Sequence, residues 1–513
     1  MAKRTRSQQR RPGPGPAVPA ASPAATASTA PAPAAARPPV RAAALPTATR
    51  GRFWLDFELS WASWALFRLC FFGLHAIDAV LQLAHAPRYG AGGFNVPQLP
   101  LPLLPAPDRT GMSFVYGLLA IAFALCAVGV AVRVLLPLAA ALYAYAYFVS
   151  QLDSYQHHYL MGLVLFLLCF VPTAPTSVGA DGRRWLRSWA LRLVLVQLAI
   201  VYLWAAVAKV DPAWLDGKLL ASQVQPGRMR SLIGGLGFGA VAVLVLATEV
   251  ALAATIWHRR LWFVAAPLGV GLHLGIELID LDIGLFSYYM IASYLLVVPG
   301  APAEAALRFG RRLVAPLARV PAGAALAVTV AALLAGAIHA LRHPLPLTRA
   351  ALVGLGLVAG ATIAARRGGA RAITGRLGAG ALAFALMATV LATTDVAADH
   401  FRTWGGASRR MGLPSERAAY QGLLAVDPRS EYAHFYLGQL DVKAGALDAA
   451  RAHFADGQRV APTRVRCYLA GANLEAGGGD RAAAIATLER GLAAVPGDPE
   501  LTQRLAALRG AGG

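Results

Sequence analysis

Stretches of about twenty residues with hardly a charge recur along this chain, and few architectures tolerate them. A soluble core has no need of such stretches, whereas ~20 apolar residues are what a helix requires to cross ~30 Å of hydrocarbon. From Phe53 onward about eleven of them can be placed by that criterion, at 59–84, 113–132, 134–152, 158–173, 188–209, 236–257, 262–280, 283–299, 321–341, 350–365 and 378–395. Only 14% of the 513 residues are charged, against roughly 25% in soluble domains, and the mean hydropathy is +0.53. The expected fold class is all-α: a polytopic transmembrane helix bundle of about eleven spans in a cell inner membrane, with membrane lipids as its first partners.

The net charge of +21 does not signal a nucleic-acid partner, because no basic face or recognition motif organises it. The basic residues sit instead in short turns. With the N-terminus cytoplasmic, the inner turns hold Arg133, Arg183-Arg184 with Arg187, Arg259-Arg260, Arg308 with Arg311-Arg312, and Arg366-Arg367 with Arg371. The outer turns hold Asp153, Asp211 and Asp216, and Asp280 with Asp282; Arg342 and Arg349 break the pattern. This is the bias of the positive-inside rule. An odd number of spans then puts the C-terminal tail outside the cytoplasm.

Both ends of the chain differ from its middle. Residues 1–52 are rich in Pro, Ala and Arg and cannot supply a core, so a disordered basic arm is expected there. Additional transmembrane helices are expected over 301–396 and a linker over 397–414. Near the other end Pro428, Pro462 and Pro496 recur every 34 residues, the period of tetratricopeptide helix pairs. Between them Leu437-Gly438, Gly445, Ala450, Phe454 and Gly457 are echoed by Tyr468, Ala472, Gly479, Ala484, Leu488 and Gly491. Residues 415–510 thus resemble a tetratricopeptide-like helical domain, with Ser415 to Asp427 as the second helix of a truncated unit. Such a groove would bind a protein or peptide partner.

Lysine is the rarest of the basic residues: Lys3, Lys209, Lys218 and Lys443 stand against 43 arginines. Arginine is always protonated, whereas a desolvated lysine can surrender its proton. Lys209 closes a span, in Tyr202-Leu-Trp-Ala-Ala-Val-Ala-Lys209-Val-Asp211-Pro-Ala-Trp214-Leu-Asp216-Gly217. Two readings stay open: a base or substrate-binding amine at the outer interface, or a snorkelling side chain paired with Asp211. His157 and His158 are adjacent and cannot share a helix face, which argues against a two-histidine metal site, and no metal is expected. His273 lies deep in a span with Glu277 one turn on, either a functional group or a histidine bonded to that glutamate or to a neighbouring helix. Arg68 and Asp78, ten residues apart in the first span, read as structural glue.

These clusters, in this order, resemble the HTTM (horizontally transferred transmembrane) domain proteins, bacterial relatives of the vitamin K-dependent gamma-glutamyl carboxylase. The motifs are Tyr155-Gln-His-His-Tyr-Leu160, Gln197-Leu-Ala-Ile-Val-Tyr202, Ala206-Val-Ala-Lys209-Val-Asp-Pro-Ala-Trp214-Leu-Asp-Gly217, and His273 followed by Ile283-Gly-Leu-Phe-Ser-Tyr-Tyr-Met290, within residues 53–300. The resemblance implies a lyase-type chemistry in which Lys209 deprotonates a reduced lipid quinone of the vitamin K type, leading to carboxylation or oxidation. It further implies His157 and His273 as catalytic partners, and His158, Trp214 and Tyr202 as candidates for binding the cofactor. Two departures stand out: Ala208 takes a place where the family often has a second lysine, and the carboxylase's large lumenal domain is replaced by further spans and the helical tail. The alternative is a non-catalytic membrane anchor or scaffold whose tetratricopeptide-like tail recruits partner proteins. A transporter is disfavoured, because no inverted repeat is visible.

Overall fold

The computed structural model describes residues 54–55, 57–89, 96–99, 107–151, 155–279, 281, 283–314 and 395–510. The basic N-terminal arm and the spans expected at 321–341, 350–365 and 378–395 lie outside the described residues.

The chain enters through a short strand, β1 (Glu58–Ser60), and turns directly into α1 (Trp61–Gln82), where the Ser60 hydroxyl accepts from Ser63 N as an N-cap. Four helices follow: α2 (Arg109–Ala127), α3 (Val132–Phe148), α4 (Gln156–Leu168) and α5 (Trp189–Ala208). Between α4 and α5 lie β2 (Ser177–Val178) and β3 (Arg184–Arg187). Strand β3 pairs antiparallel with both other strands, in the order β1-β3-β2. The expectation of an all-α fold is therefore corrected by a small sheet. It ties the start of α1 to the start of α5, and Arg187 Nη2 donates to Glu58 Oε1 at 2.7 Å across it.

Next come three short helices, α6 (Pro212–Leu215), α7 (Lys218–Gln223) and α8 (Arg228–Leu236), then two apolar ones, α9 (Phe238–Thr255) and α10 (Trp262–Leu278). Helix α11 (Phe286–Ser293) leads towards α12 (Gly300–Val314). Of the eight spans expected before residue 300, five are helices long and apolar enough to cross a bilayer among the described residues. The others differ for physical reasons. Helix α4 has 13 residues, about 20 Å at 1.5 Å per residue, and α3 has 17 with Pro137 inside it. The stretch 283–299 is one arm of a bent pair, Phe286–Leu296 and Gly300–Gly310, with a bend of 114° between them.

Packing separates an inner layer from an outer one. The apolar window of α2 is 78% buried, whereas that of α9 is only 17% buried. The inner layer is filled by Trp64, Phe67, Phe71 and Phe72 of α1, with Phe71 and Phe67 stacked at 4.9 Å and Phe72 near Phe123 of α2. On the outer layer Leu203, Trp204 and Val207 of α5, Leu244 and Val250 of α9, and Phe263 of α10 are exposed. In water that apolar surface would be untenable; against lipid it is the ordinary outside of a membrane protein.

The last seven helices are α13 (Val396–Arg410), α14 (Ser415–Val426), α15 (Glu431–Lys443), α16 (Leu447–Val460), α17 (Arg466–Gly477), α18 (Arg481–Ala494) and α19 (Pro499–Gly510). Consecutive helices pack as hairpins through small residues: a Cβ added at Gly438 would overlap the Phe454 ring, and one at Gly457 the Cys467 sulfur. Residues 397–414, read from sequence as a linker, are largely α13, which makes Ser415–Val426 the second member of a complete pair. Helix α13 is also pinned to the bundle. Buried His400 donates from Nδ1 to Leu83 O (2.8 Å) at the end of α1, its Nε2 lies 3.3 Å from Arg109 Nη1, and the Arg109 guanidinium stacks on Trp404 at 3.7 Å. The tail thus docks at the end of the bundle opposite the sheet.

Candidate active site

The Lys209 stretch builds its site by purely local means. Helix α5 ends at Ala208 with Lys209 as its C-cap, and the Asp211 carboxylate turns back to cap α6 by accepting from Ala213 N at 2.8 Å. Pro212 occupies the first position of α6, where its missing N–H costs nothing. Trp214 then anchors the turn to α9, its Nε1 donating to Ala242 O at 3.1 Å. Gly217 follows at φ +77°, where a Cβ would overlap the Phe238–Gly239 backbone at the start of α9. Each defined position of Lys-x-Asp-x-x-Trp-x-x-Gly therefore has a mechanical role, and together they lay the Trp214 ring 5.1 Å from Lys209 Nζ.

Asp211 is occupied as a cap, so the acceptor for Lys209 comes from elsewhere. Lys209 Nζ donates to Glu249 Oε1 of α9 at 2.8 Å and makes a longer bond, 3.4 Å, to Ala205 O. The Glu249 side chain is 8% exposed and that of Lys209 21%. The second carboxylate oxygen of Glu249 is buried without a hydrogen-bond partner among the described residues. Sequence reading passed over Glu249, although the signal was present: an acidic residue midway along an apolar span is a functional candidate by default.

Two turns back along α5, Tyr202 reaches inward. Its hydroxyl lies 2.8 Å from His273 Nε2 and 2.7 Å from the Tyr294 hydroxyl, in a fully buried triad. His273 is therefore bonded to Tyr202 and not to Glu277, and its Nδ1 has no partner among the described residues. Gly269 makes room for this triad, since any Cβ there would overlap the Tyr294 ring.

The paired histidines of α4 diverge. His158 Nδ1 lies 2.9 Å from the Tyr143 hydroxyl of α3. His157 stacks on Tyr155 at 5.5 Å and approaches the Phe286 ring at 5.7 Å, so it too is covered in part. Phe286 in turn stands edge-on to His273 at 6.1 Å. The three expected catalytic residues thus do not converge on one point. His157 and His273 flank Phe286, while Lys209 pairs with Glu249 about two turns along α5 from the Tyr202–His273 contact. Arg68 and Asp78 separate as well: the Arg68 guanidinium lies against Gly129, and Asp78 accepts from Tyr289 and Gln82.

An apolar groove lined by Ile200, Leu203, Val250 and Ala253 runs between α5 and α9, open to the outer layer. It reaches Leu203, within two turns of Lys209. Among the described residues no group of three or more His, Cys, Asp or Glu side chains gathers as metal ligands.

No curated protein matches this sequence. Residues 58–300, from β1 to the start of α12, match the family model for the HTTM domain, and the same stretch holds five helices long and apolar enough to cross a bilayer among the described residues, as a membrane protein would.

Proposed function

We propose that the HTTM unit is a catalytic site for a lipid-borne reduced quinone, with the Lys209–Glu249 pair as its proton acceptor and His157 and His273 as flanking groups. The observation that carries this reading is the buried pair itself: a lysine amine 2.8 Å from a carboxylate that has one oxygen unpartnered among the described residues, on lipid-facing helices. Retaining two such charges in a membrane is expensive, and a site that keeps them uses them. The local residues fit such a cofactor. The groove of Ile200, Leu203, Val250 and Ala253 would accept an isoprenoid tail. On the same helix, within two turns of Leu203, Lys209 and Tyr202 offer an amine and a hydroxyl, with the Trp214 ring beside the amine. When bound, the quinol would supply reducing equivalents and acidic hydroxyl groups. Glu249 holds and orients the amine, and the exposed side of Lys209 is where a proton would be taken up. Carboxylation and oxidation both stay within this scheme.

The test is oxidation of a reduced lipid quinone under dioxygen and bicarbonate, with the full chain in lipid nanodiscs. Turnover is expected in the natural protein and lost in Lys209→Arg, since guanidinium cannot act as a base. Equal rates in Lys209→Arg, or no rate above empty nanodiscs, would overturn the proposal.

For the tail, the 34-residue period and the helix pairs packed through Gly438 and Gly457 support a tetratricopeptide-like module that holds an extended peptide or a helix. The strapping of α13 onto Leu83 and Arg109 favours a second reading, in which the bundle is an anchor and the tail recruits a partner. Deleting 415–513 separates the two: quinol turnover survives the deletion if the bundle is the enzyme, whereas under the anchor reading the deletion alone removes the cellular phenotype. Arg184, Arg187, Arg259 and Arg308 belong to the sheet end, which supports a cytoplasmic face there and an extracytoplasmic tail. A topology reporter fused at residue 513 checks this.

A further inference from the structure

Away from Lys209, a cavity opens among α1, α2, α3 and α4, lined by His75, Asp78, Gln82, Tyr116, Phe123 and Tyr143, with His158 at its edge. His75 and Asp78 are three residues apart on α1 and so share a face. The His75 ring, 1% exposed, has its Nδ1 2.9 Å from Phe71 O. A carbonyl can only accept, so Nδ1 carries the proton and Nε2 presents a lone pair. That nitrogen is buried, in a residue lining the cavity, and has no partner among the described residues.

Among the described residues Asp78 receives neutral and rather long bonds, from Tyr289 Oη at 3.2 Å and from Gln82 Nε2 at 3.4 Å. Among the described residues no lysine or arginine forms an ion pair with it. His158, which also lines the cavity, is engaged through Nδ1 with the Tyr143 hydroxyl, and His157 is the titratable neighbour that acts on Asp78 through space. A carboxylate in the interior of a membrane bundle ordinarily has a cation beside it. Here the unused hydrogen-bonding capacity on His75 and Asp78 consists of acceptors, and the walls of Tyr116, Phe123 and Tyr143 are aromatic.

The geometry points to a second ligand site in this cavity, one that takes a small organic cation bearing N–H donors, a primary ammonium. Its charge offsets Asp78, one N–H reaches His75 Nε2 and another a lone pair of Asp78, and its alkyl carbons lie against aromatic faces. The site is built from α1 to α4 and does not depend on the Lys209–Glu249 reading.

The experiment uses the full chain in lipid nanodiscs and follows thermal unfolding with ethylammonium chloride, tetramethylammonium chloride or sodium chloride at equal ionic strength. Ethylammonium at about ten times its dissociation constant is expected to raise Tm by about 1 °C over sodium. Tetramethylammonium, which has no N–H, does not. The rise disappears in Asp78→Asn, falls in His75→Phe and persists in Lys209→Arg. Should Asp78→Asn fail to fold, infrared difference spectra of the natural protein decide, because ethylammonium must then perturb a buried carboxyl band. An equal Tm in all three salts, an equal response to tetramethylammonium, a rise retained in folded Asp78→Asn, or an unperturbed carboxyl band overturns the assignment. Loss of the response in Lys209→Arg would place the amine at the other site and overturn it too.

Discussion

The Lys209–Glu249 pair lends itself to a quantitative trial. At 2.8 Å two unit charges attract by about 6 kcal/mol at an effective dielectric constant of ~20. Lys209 keeps 21% of its side chain exposed, so solvent screening lowers the realised coupling to about 2–4 kcal/mol. Removing one member strands the other. Lys209→Met leaves Glu249 as a bare buried carboxylate whose second oxygen already has no partner among the described residues, a loss of roughly 3 kcal/mol or more. Glu249→Leu leaves an ammonium that can still reach Ala205 O and the exposed edge, so its cost is smaller, about 1–2 kcal/mol. The double variant removes both charges and recovers most of the loss. Reversible unfolding of the four proteins in mixed detergent micelles gives the cycle, with an expected coupling of at least ~2 kcal/mol. Single effects that simply add, within ~0.5 kcal/mol, would mean that the two groups do not interact, and the base assigned above would have no anchor.

Tyr202→Phe removes the bonds to both His273 and Tyr294. It should cost about 1–3 kcal/mol in the same unfolding assay, whereas a change below ~0.5 kcal/mol would show the triad is not formed. Gly217→Ala puts a side chain at φ +77° against the α9 backbone. A loss of several-fold in folded yield is expected, and normal yield would count against the close approach. His400 supplies a pH test: burial, with the Arg109 charge assisting, holds its pKa down to about 4 from 6.5. Between those values the unfolded chain binds more protons, so stability is full above pH 6.5, falls as pH drops towards 4, and levels off below that. The loss amounts to about 3 kcal/mol, and His400→Gln should flatten the profile; identical profiles for the two proteins would refute the burial of the His400 ring.

What could be read in advance was local. Asp211, Pro212, Trp214 and Gly217 act within ten residues of Lys209, so their spacing alone set them apart. The partner of Lys209 was not legible, because Glu249 lies 40 residues away and nothing in periodicity says which helices touch. The shared face assumed for Arg68 and Asp78 fails on arithmetic: ten residues at ~100° each leave them about 80° apart, enough to send one to Gly129 and the other to Tyr289. Hydropathy overstated α4 because a short helix buried among neighbours looks as apolar as one facing lipid. Strands of two to four residues carry too little alternation to be seen at all. Residues 397–414 were expected as a linker, yet Val396–Arg410 forms helix α13. In the fold Gly405 is what lets the helix close onto Tyr420, whose ring stands where a Cβ would be.

The two ends of the bundle are fastened in different ways. At the sheet end Arg187 pairs with Glu58, Arg259 bonds the Glu58 carbonyl and Arg183 reaches Glu304, so the starts of α1, α5, α10 and α12 are fastened by exposed or half-exposed cations. At the other end some charges turn inward, Lys209 on Glu249, Asp78 under Tyr289 and Arg109 under His400 and Trp404, while Lys218 pairs with Asp216 at the surface. The chain leaves the first end through α12 and returns at the second through α13, which fastens the tail beside the cavity of His75 and Asp78 and on the same side of the bundle as Lys209. A module strapped there by a histidine donating to the last turn of α1 cannot swing freely, so a segment gripped by the tail would be held at a fixed height above both polar sites. Cutting the strap with Arg109→Ala should therefore lower any tail-dependent activity while leaving quinol turnover intact, and a variant that behaves like the natural protein in both would show that the tail works independently of the bundle.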